Sequence, residues 1–451
     1  MSVVVEAPGA AVMEAYFSDI ASALDRALVA GERYTASFAS ESTDFVRMNR
    51  GKVRQPGHVA QRYLSVRLVR GARHASHTLG LSGDAATDRA AARDALVGLR
   101  SVTPDLAEDP HLMLPDTARS SRSAHGGPLP DTAQIVDAVL DAASGEDLVG
   151  MLAAGPVQRG FANSEGQRNW HEATTFNLQW SLYFRADKAV KCSYASFAWD
   201  ASELARKMRD AREELALVSR PARTLAPGAY RVYLAPSAMD EIAGMLSWGG
   251  FSGRALATRQ SPLARMQGGA RLDPRVFIAE DIAAGVAPAF QREGFARPPR
   301  VPLVEAGALV GSLVAPRTAR EFELTQNGAN GSESPEALSM HGGDLPMRDA
   351  LAALDTGLAI GNLWYLNYSD RPACRMTGMT RFATFWVEGG RVVAPVDVMR
   401  FDDTIYRMLG DNLESLTRET ELMLDPSSYG SRALTSTTLP GALLREMTFT
   451  L

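Results

Sequence analysis

An α+β protein of two domains, with mixed or antiparallel sheets flanked by helices, is predicted by three features of this sequence. Runs of alternating apolar and polar residues follow one another through turns too short to hold a crossover helix, so neighbouring strands pair antiparallel. Stretches with three- and four-residue apolar steps, the signature of amphipathic helices, flank these runs. Near the midpoint, in Arg220-Pro221-Ala222-Arg223-Thr224-Leu225-Ala226-Pro227-Gly228, two prolines and a glycine interrupt helix just before a new strand. At 451 residues and 45% hydrophobic, the chain can bury more than one core. The break therefore separates an N-terminal α/β domain, 1–220, with sub-units at about 30–105 and 130–220, from a C-terminal α+β domain, 221–451.

In the first domain, Val12, Tyr16, Phe17, Ile20, Leu24 and Leu28 make one apolar face of a helix ending near Gly31. Tyr34 to Leu79 reads as antiparallel strands that turn at Asn49-Arg50-Gly51 and hinge at Gly71. Gly83 to Leu99, rich in Ala and Asp, predicts a helix, and Pro104 to Pro130 a loop. Thr132 to Ala143 is helical through Ile135, Val136, Val139 and Leu140. Residues 148–161 read as a strand into the turn Asn163-Ser164-Glu165-Gly166, and Thr174 to Trp199 as two aromatic-rich strands joined around Ala186-Asp187-Lys188. Ala201 to Val218 closes the domain as a helix with Leu204, Met208, Ala211, Leu215 and Val218 inward.

The second domain opens with a strand, Tyr230 to Leu234, and a helix from Ser237, a capping residue type, to about Trp248. Leu345 to Gly357 predicts another helix and Gly361 to Tyr368 a strand. Phe382 to Val387 and Arg391 to Val396 alternate around Glu388-Gly389-Gly390, a β-hairpin. Ahead of it, Thr377-Gly378-Met379-Thr380-Arg381 has the composition of a loop that presents backbone groups to a ligand. Val398 to Leu416 predicts a last helix, striped by Ile405, Met408, Leu409, Leu413 and Leu416.

Composition narrows the function. With 47 basic and 52 acidic residues, net charge −5, there is no polybasic signal for nucleic acid. Two cysteines, Cys192 and Cys374, make no disulfide framework, so the cytoplasm is the expected compartment. No basic residue precedes Arg26, unlike a secretory signal, and no window approaches the ~18 apolar residues of a membrane span.

Self-sufficient chemistry is hard to assemble. His171, Glu172, His341 and Cys374 include enough ligand types for a zinc site, but nothing in their spacing requires them to meet. Gly250-Phe251-Ser252-Gly253 is not a G-x-S-x-G elbow, and no Gly-rich segment has the strand-to-helix context that cradles phosphate. Trp170, Trp180, Trp199, Trp248, Trp364 and Trp386 suit either a peptide groove or core filling.

The stretch Gly361 to Val396, GNLWYLNYSDRPACRMTGMTRFATFWVEGGRVVAPV, resembles the C-terminal signature of the TldD/PmbA family. The TGMTR and RFATFWVE segments together are its most specific part, and Asn327-Gly328-Ala329-Asn330-Gly331 resembles the family's Asn/Gly loop. The likeness extends over roughly residues 30 to 451. In this family a zinc-carrying subunit, marked by a His-Glu-x-x-x-His motif on a helix, pairs with a similar subunit lacking the metal. Here no histidine lies between His171 and His341, and the matching residues, Leu246 to Phe251, are Leu-Ser-Trp-Gly-Gly-Phe. None supplies an imidazole or a carboxylate base.

The resemblance thus implies a TldE/PmbA-type, non-catalytic subunit of a heterodimeric zinc metalloprotease that processes small or unfolded peptides. It implies no metal and no catalytic residue in this chain, with zinc in a TldD-like partner, or a homodimer in that partner's absence. Peptide contacts are expected from Asn327, Asn330, Thr377, Gly378, Met379, Thr380 and Arg381. The alternatives are a non-proteolytic peptide-binding or homodimeric scaffold protein, and a self-sufficient peptidase with a divergent site among His171, Glu172, His341 and Cys374.

Overall fold

The computed structural model describes residues 10–115, 118–185 and 188–451. Ala186 and Asp187, in the expected turn, lie outside them. The fold is α+β, with two sheets among the described residues. The first sheet is built from β1 (Arg33–Asn49), β2 (Lys52–Arg70), β3 (Arg73–Gly80), β4 (Ser121–His125), β5 (Asp147–Asn163), β6 (Arg168–Arg185) and β7 (Lys188–Ser196). Its order is β3-β2-β1-β5-β6, with β4 and β7 both pairing to β6. All of its pairs are antiparallel except β4 with β6.

Four helices lie on one face of this sheet. Helices α1 (Ala10–Ala27) and α2 (Ala85–Val102) cover Tyr34, Ala36, Phe38, Leu64, Val66 and Leu68 at one end. Helices α3 (Thr132–Ala142) and α4 (Ala201–Val218) cover Val46, Met48, Leu148, Leu152 and Phe176 at the other. The two-residue period of β1 puts Tyr34, Ala36, Phe38, Val46 and Met48 on this one face. Along α4, Leu204, Met208, Ala211, Leu215 and Val218 are buried, as their spacing predicts.

The second sheet contains β8 (Gly228–Leu234), β9 (Ile278–Glu280), β10 (Val301–Glu305), β11 (Ala308–Leu309), β12 (Ala337–Met340), β13 (Gly357–Asp370), β14 (Arg375–Glu388), β15 (Arg391–Pro395), β16 (Arg400–Thr404), β17 (Leu413–Leu424) and β18 (Ser436–Phe449). Its order runs β11-β10-β9-β12-β18-β16-β14-β13-β8, and β8 pairs back to β18, so five strands close on themselves. Helix α5 (Pro236–Ser247) packs against β13 and β18.

Several elements differ from the sequence expectation. Thr377 to Arg381 is not a loop but part of β14, paired to β13 on one side and, through Met379, to β16 on the other. Its weak hydrophobic contrast hides an alternation in which Met376, Gly378 and Thr380 are buried. The helix expected from Val398 is instead β16, a five-residue π-turn at Arg407–Asp411 and β17. Pairing with β14 and β18 overrides the apolar spacing there. The expected Pro104–Pro130 loop contributes β4, and the 345–357 helix shrinks to turns at Met347–Asp349 and Ala350–Leu354. Ser237 is not the cap of α5. Pro236 takes the first turn, and the Ser237 hydroxyl donates to Gly361 O at 2.7 Å. Val12 faces solvent.

Candidate functional site

The exit of α5 is built from side chains that satisfy one another. Backbone carbonyls at a helix C-terminus lack intrahelical donors. Here Tyr368 Oη donates to Met245 O at 2.6 Å and Arg371 donates to Trp248 O at 2.7 Å. Gly249 adopts φ +78°, and a Cβ at Gly250 would stand 2.3 Å from Leu246 O. Only glycine permits this turn. Leu246 and Phe251, which the sequence resemblance matches to the family's zinc-binding histidines, are 2% and 0% exposed and belong to the same apolar cluster. Ser247, which the resemblance matches to the carboxylate base, donates to Ala243 O at 2.8 Å. Zinc does not fit these residues: they offer packed hydrocarbon and a hydroxyl already engaged with its own helix.

The four outlying ligand candidates sit in separate environments. His171, on β6, is fully buried; its Nδ1 lies 2.9 Å from Ser123 Oγ and its Nε2 2.9 Å from Val286 O. With both nitrogens occupied, no lone pair is left for a metal. Burial lowers its pKa to about 4, against the favourable bond to Val286. Glu172 accepts from Gln158 Nε2 at 3.0 Å. His341 is exposed, stacks on Phe277 and meets Arg300 at 2.5 Å. Cys374 is buried at the tip between β13 and β14, and burial pushes its thiol up to about 12. Among the described residues no three His, Cys, Asp or Glu side chains form a group able to hold a metal.

The Asn/Gly loop is occupied with its own architecture. Asn327 accepts from Val314 N at 2.9 Å and donates to Ser312 O at 2.7 Å, in the manner of a missing strand. Asn330 bonds Ser332, Ser334 and Glu336. Both side chains spend their hydrogen-bonding capacity inside the protein. Thr380 is buried and accepts from Met399 N at 2.9 Å, while a Cβ at Gly378 would meet Phe401 at 2.7 Å and Leu366 at 2.9 Å. These two fix the strand rather than face outward.

The remaining residues of TGMTR form an outward face. Met379 is the cross-strand neighbour of Trp364 on one side and Arg400 on the other. Arg381, two residues along, holds its guanidinium 3.9 Å from the centre of the Trp364 ring. Thr377 accepts from Arg400 Nε at 3.0 Å. Trp364 is 45% exposed and Tyr365 77%. Two bulges shape this face. Between Trp364 and Asn367 β13 carries an extra residue, and between Asn362 and Ile360 the facing strand carries one. Tyr365 and Phe382 sit at these bulges with φ +59°. Left-handed backbone at a bulky residue costs roughly 1 kcal/mol or more, and such strain is concentrated where a site needs a particular presentation.

Sequence reasoning named Thr377, Met379 and Arg381 of this face and left Trp364 open between groove and core, but it missed Tyr365 and Arg400, because an aromatic-rich strand reads as core. Of the six tryptophans, Trp170 and Trp180 are core, and Trp248 and Trp364 are exposed. A second feature, the row Ser42–His58–Asp44, also had no local motif. His58 Nδ1 lies 2.8 Å from Asp44 and Nε2 3.3 Å from Ser42 Oγ. Ser42 is mid-strand and opposite Ala60, so it lacks the turn or helix start that offers free N–H groups to an oxyanion.

The closed sheet, the α5 exit and the β13–β14 face belong to an α+β architecture shared with metallopeptidase-related proteins. The profile described as the PmbA/TldA metallopeptidase C-terminal domain matches residues 227–451, and the chain belongs to the TldD/PmbA family. In fold it is similar to TldE from Thermococcus kodakarensis, with TM-score 0.76, 13% identity, and coverage of 97% of this chain and 100% of that one. A Thermotoga maritima protein described as a candidate modulator of a DNA gyrase gives TM-score 0.73 at 12% identity, covering 97% and 100%. One so described from Bacteroides thetaiotaomicron gives 0.73 at 16%, covering 96% and 98%. No curated protein matches the chain. No helix among the described residues is long and apolar enough to cross a membrane.

Proposed function

We propose that this chain is the TldE-like, non-catalytic subunit of a cytoplasmic heterodimeric zinc metalloprotease acting on small or unfolded peptides. A TldD-like partner supplies the zinc and the carboxylate base. This chain shapes the chamber and holds the substrate extended through strand edges and the β13–β14 face. The observation that carries the reading is the burial of Leu246 and Phe251 in one apolar cluster, where the zinc-carrying branch places imidazoles. Family membership supplies the reaction class, and the likeness in fold to a protein named TldE agrees with it.

The test is purification of the chain alone and after co-expression with a zinc-bearing relative. Metal content, stoichiometry and peptide hydrolysis are then read on the same samples. The expected result is a zinc-free, inactive chain and a zinc-containing, active one-to-one complex. Stoichiometric zinc with hydrolysis by the chain alone overturns the proposal. Failure to co-elute on size exclusion favours a homodimeric or scaffold role instead.

A further inference from the structure

Two arginines, Arg381 and Arg400, stand on the outward face of β14 and β16, although the chain carries a net charge of −5. Arg375, at the start of β14, pairs with Asp402 at 3.1 Å, and Arg297 elsewhere pairs with Glu336 at 2.5 Å. Arg381 and Arg400 have no carboxylate within 4.0 Å among the described residues. Arg381 lies over Trp364, and the Arg400 side chain donates through Nε to the Thr377 hydroxyl, while its backbone N–H donates to Leu451 O at 3.0 Å. A guanidinium stacked on an aromatic ring keeps its in-plane N–H donors turned outward, where they match a carboxylate.

Geometry adds a spacing. Arg400 is directly opposite Met379, and Arg381 is two residues further along β14. Diagonal neighbours of this kind root their side chains about 7–8 Å apart, and the two guanidiniums lean to opposite sides, Arg381 over Trp364 and Arg400 toward Thr377. Alternate side chains of an extended peptide, which share one side, repeat at about 7 Å. Trp364 and Tyr365, on β13 at the bulge, present exposed rings on the Arg381 side.

We propose that this face binds an extended acidic peptide segment with carboxylates on alternate residues, Arg381 and Arg400 each taking one. The inference rests on the peptide-handling role proposed above and names the substrate class that role selects. Trp364 and Tyr365 pack against the peptide on the Arg381 side.

The test uses the full chain and two fluorescent peptides of equal length, Glu-Gly repeats and Lys-Gly repeats, followed by anisotropy at low and raised salt. The Glu-Gly peptide is expected to bind at least about tenfold more tightly, and to weaken as salt screens the charges. Arg381→Gln with Arg400→Gln should remove most of that preference, roughly fivefold for each charge lost, while Arg381→Lys retains part of it. Circular dichroism of the variants confirms that they remain folded. Equal binding of the two peptides, or an acidic preference untouched by the double substitution, overturns the inference. Because anisotropy needs neither zinc nor a partner, the two proposals fail separately. An active heterodimer with no acidic preference ends this one alone, and acidic binding by a chain that never pairs ends the subunit role alone.

Discussion

His171 shows how one buried side chain turns a structural role into a pH dependence. Its ring is closed in by Ser123 and Val286, and burial, aided by His125, Arg159 and Arg297, holds its pKa near 4 against an ordinary 6.5. The neutral ring is the form that folds. Between pH 6.5 and about 4 the unfolded chain binds the proton and the folded chain does not, so stability falls as pH falls through that window and is fully present above it. The whole shift corresponds to about 3 kcal/mol. Urea unfolding at pH 7 and pH 4.5 should show this loss, and His171→Gln should be less stable at pH 7 but much flatter with pH. An unchanged slope in the variant would assign the acid sensitivity to other groups. The same residue was readable as a ligand candidate in sequence, because sequence reports the imidazole and not the two partners that consume it.

At the scale of elements, the two bulges separate presentation from stability. Tyr365 makes little use of burial, being 77% exposed, yet holds φ +59°. Tyr365→Gly relieves the left-handed penalty and adds unfolded-state entropy, two terms of about 1 kcal/mol that oppose each other. Thermal unfolding of this variant should therefore lie within about 1 kcal/mol of the parent, while its binding of the Glu-Gly peptide weakens. A large loss of stability would mean that the ring packs more than its exposure indicates. These strands also mark the limit of what the sequence discloses. Strong alternation around Glu388-Gly389-Gly390 made the β14–β15 hairpin legible, and β14 and β15 pair there. Thr377 to Arg381 carries no such contrast, since its alternation arises from β13 and β16 on either side. The residues from Val398 to Leu416 mislead for the converse reason: their apolar spacing suits a helix, but β14 and β18 supply open hydrogen-bonding edges that a helix would leave unpaired. The lack of histidine between His171 and His341 is read from residue identity alone.

For the whole molecule, the question is whether the two sheets act as separate bodies. One apolar cluster contains Leu204, Met208 and Leu215 of α4 together with Tyr233, Phe385, Val387 and Leu443 of the second sheet. Helix α4 therefore serves both cores. A second tie is Arg432, on the segment between β17 and β18, which reaches the first sheet and donates to Gly155 O at 2.9 Å and to Thr175 Oγ1 at 2.6 Å. It is 6% exposed, and burial lowers its pKa to about 10. Replacing it with methionine leaves those buried acceptors without donors, at about 1–3 kcal/mol for each group stranded. Shared packing of this kind opposes separation of the two sheets before either unfolds. Calorimetry of the full chain should accordingly give a single transition with matching calorimetric and van't Hoff enthalpies, and Arg432→Met should lower its midpoint without splitting it. Two resolved transitions in the parent chain would show that α4 and Arg432 dock finished domains, and the division near Arg220 would then be a boundary between independent folding units.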